Sequence, residues 1–293
     1  MKKKINYLNL IFLLFSQILF SQQNLKSKLE NIIKDKKATV GVSVWHLEKG
    51  DTLSINGDKH LPMQSVFKLH IAMTVLDFVD KGKLKLNQKI FLKKEDLHPN
   101  TWSPIRDKYP NGNVEIPLSE VITLTVSQSD NNGCDILLKL IGGVQVVQNY
   151  MNKIGIKDFQ IAANEEMMHQ TLDLQYQNYS SANSTNFVLK KLFTQQVLTK
   201  KSRDFLIKIL QETTTAPNRL KSELPKDWIV AHKTGTSSTE KGMTAATNDI
   251  GVITLPNKKH LIISVLVSNS YEDEKINNKI IADIAKASVE FYK

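Results

Sequence analysis

The chain has 293 residues, of which 41% are hydrophobic and 23% charged, with 12 glycines and 8 prolines. These are ordinary globular values, and they exclude disordered, collagen-like and coiled-coil compositions. The formal net charge is +10, and the single cysteine, Cys134, excludes an internal disulfide framework and any multi-cysteine metal site.

Residues 1–21 read as a secretory leader: Lys2, Lys3 and Lys4, an apolar run from Ile5 to Phe20, then the small Ser21. Asn6, Asn9, Ser16 and Gln17 interrupt the run and make it a poor membrane span. Cleavage near Ser21–Gln22 implies an exported, periplasmic protein without a membrane anchor. The leader carries three of the ten net charges, which leaves +7. The remaining basic residues are scattered, as in Lys34, Lys36 and Lys37, which is the pattern of a solvated face. No motif for nucleic-acid recognition accompanies them.

Thr39–His46 alternates and is β-branched, so it predicts a strand, and Thr52–Ile55 returns antiparallel after a turn. Phe67–Val79 predicts a helix that is apolar nearly all round. Helices are expected over Leu118–Ser127, through Ile136–Ile141 to Gly142-Gly143, and over Val144–Ile154 to Gly155. Residues 156–182 are polar and irregular, a long loop of the kind that carries function. Helices over Phe187–Leu198 and Ser202–Gln211 follow. The period then returns to two over Trp228–His232, Ile250–Leu255 and Leu261–Val267, and Lys275–Tyr292 closes the chain as a helix. Strands at both ends with helices between them are not the alternating order of a parallel sheet. They predict an α+β fold, an antiparallel sheet built from both ends of the chain with an all-helical block inserted. The expected division places 22–64 with 214–293 in the sheet unit and 65–213 in the helical unit.

Three short motifs occur in order: Ser65-Val66-Phe67-Lys68, Ser129-Asp130-Asn131 and Lys233-Thr234-Gly235. The first is weak alone in so lysine-rich a chain, and Ser238-Thr239-Glu240-Lys241 is a second copy. Context separates them. Ser65 opens an apolar helix, so Lys68 lies one turn on along the same face, within reach of the hydroxyl. The second copy sits in a polar loop. A serine nucleophile needs a base at neutral pH, and Lys68 can be that base if burial and the cationic Lys233 depress its pKa. Ser129 can relay a proton to a leaving nitrogen, and Asn131 can fix an amide. Lys233 and Thr234 offer a cation and a hydroxyl to a carboxylate. Together these describe attack on an acyl amide that carries an acid group.

With these motifs in this order, the sequence resembles the class A serine β-lactamases, within the larger group that includes penicillin-binding proteins. The resemblance spans roughly 24–293. It implies a five-stranded antiparallel sheet flanked by helices, an all-helical domain, and the site in the cleft between them. It also implies an oxyanion hole formed by the amides of Ser65 and Thr236, with Gly235 between the clamp residues. In this family a glutamate of the long loop holds the deacylating water. Glu165 and Glu166 compete for that role, and Glu165 matches the family spacing from Asn131. His169 stands where an asparagine usually helps hold the water. The usual arginine–aspartate pair of the loop is replaced by Ala163 and Asn178, so closure must be held otherwise, and a loosened loop would admit bulky side chains. Thr247 stands where many members carry a carboxylate-binding arginine, and Arg219 stands where others supply that charge. Gln64 precedes the nucleophile, Asp135 replaces a usual asparagine, and Trp102 matches the aromatic at the cleft mouth. This set resembles the PER-type extended-spectrum branch.

The implied activity is hydrolysis of the β-lactam amide by a monomer acting on a small molecule, with no cofactor and no metal. Two alternatives share the motifs: a D-alanyl-D-alanine peptidase and a β-lactam-sensing domain that stays acylated. The glutamate at family spacing disfavours both. Cys134 reads as an inert core residue, and the seven histidines show no ligand spacing.

Overall fold

The computed structural model describes residues 23–194 and 197–293, Leu172 by its backbone alone. The leader expected over 1–21 lies outside the described residues. A central antiparallel sheet runs in the order Thr52–Ile55, Thr39–His46, His260–Ser270, Met243–Thr254, Val230–Thr236. A two-residue strand, Thr239–Glu240, folds back on the start of Met243–Thr254 beyond this five-strand path. The strands come from both ends of the chain, as the pattern predicts.

Strand alternation sends two apolar sets to opposite faces. Val40, Val42, Val44, Ile263, Val265 and Val267 pack with Ile280, Ile281 and Ile284 of the Glu274–Tyr292 helix. Ile250, Val252, Ile262 and Leu266 face the helical block, where they join Val66, Phe67, Leu69 and Met73. Each such side chain contributes about 1.5–3 kcal/mol on burial. The Phe67–Asp80 helix is the spine of that block, and every residue from Phe67 to Leu76 is buried. Its all-round burial admits few polar groups. His70 stacks near Phe159, and burial lowers its pKa to about 4, so it sits neutral in the core.

Several elements differ from the predicted ones where polar residues hide the period. The helix expected from Ile136 begins at Asn131, because the Asp130 side chain caps it by accepting from the Gly133 amide. The helix expected over Phe187–Leu198 is Ala182–Phe193, with Ser181 as its cap. The strand expected over Trp228–His232 is Val230–Thr236 and carries the third motif. A hairpin, Lys89–Leu92 with Val114–Pro117, was not expected, nor were the Pro104–Lys108 helix and the helical residues 23–33. Among the described residues no helix is long and apolar enough to cross a membrane.

The long loop is more ordered than its composition suggests. Tyr179–Ser180 pairs with Phe159–Gln160 on one side and with Leu61–Pro62 on the other. Between them lie a helical turn, Glu165–Met168, and a 3-10 segment, Leu172–Gln177. The neck is tied by Asn178, whose side chain is fully buried. Its Oδ1 accepts from Ala162 N at 2.8 Å and Ala163 N at 2.9 Å, and its Nδ2 donates to Ala163 O at 2.7 Å. A neutral amide thus closes the loop, and the expectation of loose closure is corrected. Asn178→Ala strands two amides and a carbonyl, each costing about 1–3 kcal/mol when buried without a partner. Thermal unfolding should show this as a drop in Tm of about 2–4 °C per kcal/mol. An unchanged Tm would place loop closure elsewhere.

Candidate active site

Ser65 sits in the 3-10 turn Gln64–Val66 that leads into the Phe67–Asp80 helix. The Val230–Thr236 strand lies directly against this turn. A Cβ on Gly235 would fall 2.4 Å from the Met63 carbonyl oxygen, so only glycine permits the approach. That contact sets Ser65 beside the end of the strand that carries Thr236.

Lys68 is fully buried one turn after Ser65, and four oxygens lie around its Nζ. Ser65 Oγ lies at 2.7 Å, Asn131 Oδ1 at 2.5 Å, Ser129 O at 3.1 Å and Glu165 Oε1 at 2.6 Å. Lys233, also fully buried, donates to Ser129 Oγ at 3.0 Å and Thr234 O at 2.9 Å. Burial, and then the charge of Lys68, push the Lys233 pKa well below the usual lysine range. Ser129 thus joins the two amines, with its carbonyl toward one and its hydroxyl toward the other. It holds a left-handed φ of 61°. Next to it, the buried Asp130 accepts from Ser103 Oγ, Ile105 N and Gly133 N, which fixes the turn. Desolvation raises the Asp130 pKa.

The long loop delivers Glu165 from the opposite side. Asp135 lies one helical turn after Asn131 in the Asn131–Ile141 helix. Its Oδ1 accepts from Glu165 N at 2.8 Å and its Oδ2 from Glu166 N at 2.9 Å. Asn164 caps the turn by accepting from Met167 N. With both amides held, Glu165 turns inward and is 6% exposed, whereas Glu166 is exposed. Of the two competing carboxylates, Glu165 is the one at the site. His169 Nδ1 lies 2.6 Å from Glu165 O, and its Nε2 lies 3.3 Å from Thr101 Oγ1, which also accepts from Asn131 Nδ2 at 2.7 Å. Trp102 is 59% exposed, its indole Nε1 donates to Gln128 O at 2.8 Å, and its carbonyl receives the Asn131 amide.

Arg219 is 2% exposed and lies behind the strand, not in the open cleft. It donates to Asn278 Oδ1, Gly235 O, Asn248 O and Thr236 Oγ1. Its reach into the cleft therefore runs through Thr236, which is exposed. Thr234 Oγ1 pairs with Thr215 Oγ1 at 2.6 Å. Ser65, Asn131, Glu165, His169 and Thr236 line one cleft of about 430 Å³. Ser238 stands on its rim at the start of the Thr239–Glu240 hairpin, away from the amines, so the second S-x-x-K copy is a turn. Cys134 is fully buried, and burial pushes its thiol well up. Among the described residues no group of three or more His, Cys, Asp or Glu is placed to hold a metal ion.

The structure thus gathers Ser65, Lys68, Ser129, Asn131, Glu165 and Lys233 into one network. Gly235 and Thr236 stand on the strand beside it, His169 lines the cleft, and Trp102 joins through its carbonyl to the Asn131 amide. The anchoring by Asp135 and Asp130 and the support from Thr101, Thr215 and Asn278 went unread. Asp130 lay within the second motif, and Asp135 left a signal in its i, i+4 spacing from Asn131 on one helix face.

A serine with a buried amine, a second serine bridging to another amine, and a loop carboxylate define an active-site-serine acyl-transfer enzyme. The chain belongs to the β-lactamase enzyme family, whose profile matches residues 24–292. It is 50% identical over 284 residues to β-lactamase VEB-1 of Pseudomonas aeruginosa, covering 95% of each chain. It is 43% identical over 284 residues to extended-spectrum β-lactamase PER-1 of the same organism, covering 96% of this chain and 92% of that one. The TLA-3 extended-spectrum β-lactamase structure superposes with a TM-score of 0.91 at 50% identity, covering 92% of this chain and 99% of that one.

Burial, and then the charge of Glu165, raise the Asp135 pKa to about 6. Above that value both oxygens accept the loop amides, and below it one oxygen carries a proton and loses acceptor capacity. Turnover should therefore fall as pH drops through about 6. Asp135→Asn should lower turnover at neutral pH, because an amide nitrogen cannot accept from the second N–H, and should erase that acid limb. An identical pH profile in the variant would sink the assignment.

Proposed function

We propose that this enzyme hydrolyses the β-lactam amide of penicillins and cephalosporins, oxyimino-cephalosporins included, through an acyl-enzyme on Ser65. The names of PER-1 and TLA-3 support the extended spectrum. The leader read at residues 1–21 supports action in the periplasm. The observation that carries the reading is the buried Glu165 carboxylate 2.6 Å from Lys68 Nζ, with Ser65 Oγ 2.7 Å from the same nitrogen. A peptidase or a sensor that stays acylated has no need of that carboxylate.

In this reading Lys68 lies 2.6 Å from the Glu165 carboxylate and 2.7 Å from the Ser65 hydroxyl. Its lone pair becomes free to take the Ser65 proton once one of its own protons has passed to Glu165. Ser65 Oγ then bonds to the lactam carbonyl carbon, and the Ser65 and Thr236 amides receive the developing oxyanion. The ring C–N bond breaks, and the nitrogen takes a proton through Ser129, which Lys233 holds. Asn131 fixes the side-chain amide of the substrate. Lys233, Thr234 and Thr236 bind its carboxylate, with Arg219 supplying charge from behind Thr236. With the Ser65 proton passed on to the lactam nitrogen, Lys68 takes its own proton back from Glu165. Glu165, a carboxylate again with His169 beside it, takes a proton from a water whose oxygen bonds to the acyl carbon, while the Ser65 oxygen leaves and regains a proton.

Glu165→Gln should trap acyl-Ser65, seen by mass spectrometry as one intact penicillin on the Ser65 peptide. Glu166→Gln should turn over nearly as the wild type does. A trap with Glu166→Gln alone would reverse the roles of the pair, and no trap with either would remove the hydrolytic base from this loop.

Arg219→Ala removes a charge-assisted hydrogen bond to Thr236 and should lower kcat/KM for carboxylate substrates by roughly 10- to 150-fold. Steady-state kinetics with and without the substrate carboxylate checks this. An equal loss for both substrates would show that Arg219 only braces the strand.

A further inference from the structure

Glu165 lines two cavities. The cleft in front of it also holds Ser65, and a rear cavity of about 190 Å³ lies on its far side. Asn131 and His169 line both, so these two residues and Glu165 form the partition. The rear cavity runs on into a wider surface groove of about 420 Å³, with His98, Asp135 and Glu166 common to the two. Liquid water takes about 30 Å³ per molecule, so the rear cavity has room for several, and its amide, imidazole and carboxylate walls give each one partners.

One wall of this space is braced with no evident purpose in the chemistry so far. Arg106 donates from Nη1 to the carbonyls of His98, Pro99 and Thr101 at 3.0, 2.7 and 2.7 Å. Asn132 Oδ1 receives the His98 amide at 3.1 Å. The 98–101 segment is thereby held off the long loop, which Asp135 holds on the other side.

Each turnover consumes one water. Its oxygen bonds to the acyl carbon, one proton passes to Glu165, and the Ser65 oxygen leaves and regains a proton. While the acyl group fills the front cleft, water from that side meets the adduct. We propose that the rear cavity is the water-supply route of deacylation, bringing solvent from the surface groove to Glu165 past the His169–Thr101 contact. The inference rests on Glu165 acting as the hydrolytic base. Its demand is greatest for substrates with bulky side chains, which leave least room at the front.

The test fills the cavity without touching the reacting groups. Asn100 is exposed and lines the rear cavity alone, and Glu166 faces it from the opposite wall. In Asn100→Trp and Glu166→Trp, stopped-flow kinetics should show acylation unchanged and deacylation slowed by about tenfold or more, with acyl-Ser65 accumulating. Ceftazidime should be affected more than benzylpenicillin. Asn100→Ala, which fills nothing, should deacylate normally. Unchanged deacylation in both Trp variants overturns the proposal, and so does an equal loss of acylation and deacylation, which marks a distorted cleft. Failure of Glu165→Gln to trap an acyl-enzyme would instead overturn the underlying reading, whatever the Trp variants do.

Discussion

The structure depends on the burial of two lysine side chains around one serine. Lys68 and Lys233 are both fully shielded from solvent and both contact Ser129. Removing an ammonium from water costs several kcal/mol even after relaxation, and that cost is offset only by excellent pairing. Four oxygens surround Lys68, and they come from the nucleophile turn, the Ser129–Asn131 turn and the long loop. None of these segments can move far without leaving a buried charge unpaired, which costs about 3–5 kcal/mol. The charge that readies the chemistry also holds its three sources in place.

That constraint explains the supporting cast. The Ser129 turn is strained and is held by the buried Asp130. The nucleophile turn is held by the strand that Gly235 allows to approach it. Asn248 adds to this hold by donating to the carbonyls of Pro62 and Met63. Gln64 reaches across to Gln175 at 2.6 Å, which ties the residue before the nucleophile to the far end of the loop. On the other flank, Arg219 takes strand carbonyls and Thr236 as its partners and draws on Asn278 of the closing helix. Most of this network consists of side chains bonded to backbone.

Much of this was legible in the sequence, and the gaps have physical causes. The long apolar helix after Ser65 and the alternating strands were plain because their faces are continuous. The third motif was plain as chemistry but hidden as structure. Lys233 and Thr234 are buried although polar, so the strand seemed to end at His232. The helix starts at Asn131 and Ala182 were obscured in the same way by capping and turn residues. The loop was read as irregular because its order comes from Asn178 and Asp135 bonding to backbone at a distance, which leaves no periodic trace. Arg219 was placed in the cleft by resemblance, and the structure buries it with one nitrogen donating to Thr236.

The loop also shows why a paired acidic sequence need not be ambiguous once folded. Asp135 accepts consecutive amides, from Glu165 and Glu166, at nearly equal distances. This fixes the backbone of the turn and with it which side chain turns inward. The inward carboxylate meets Lys68. The outward one, Glu166, stays exposed, which spares the site a second buried anion beside Asp135. An aspartate at this anchor already stands near Glu165, and the repulsion between them contributes to its raised pKa. Lys68 therefore serves both ends of the loop. Its positive charge binds Glu165 directly and, at longer range, lowers the cost of keeping Asp135 ionised beneath it. Placing the loop's fixed charge at this anchor, and a neutral amide at its neck, makes the position of Glu165 depend on the charge of the amine it serves.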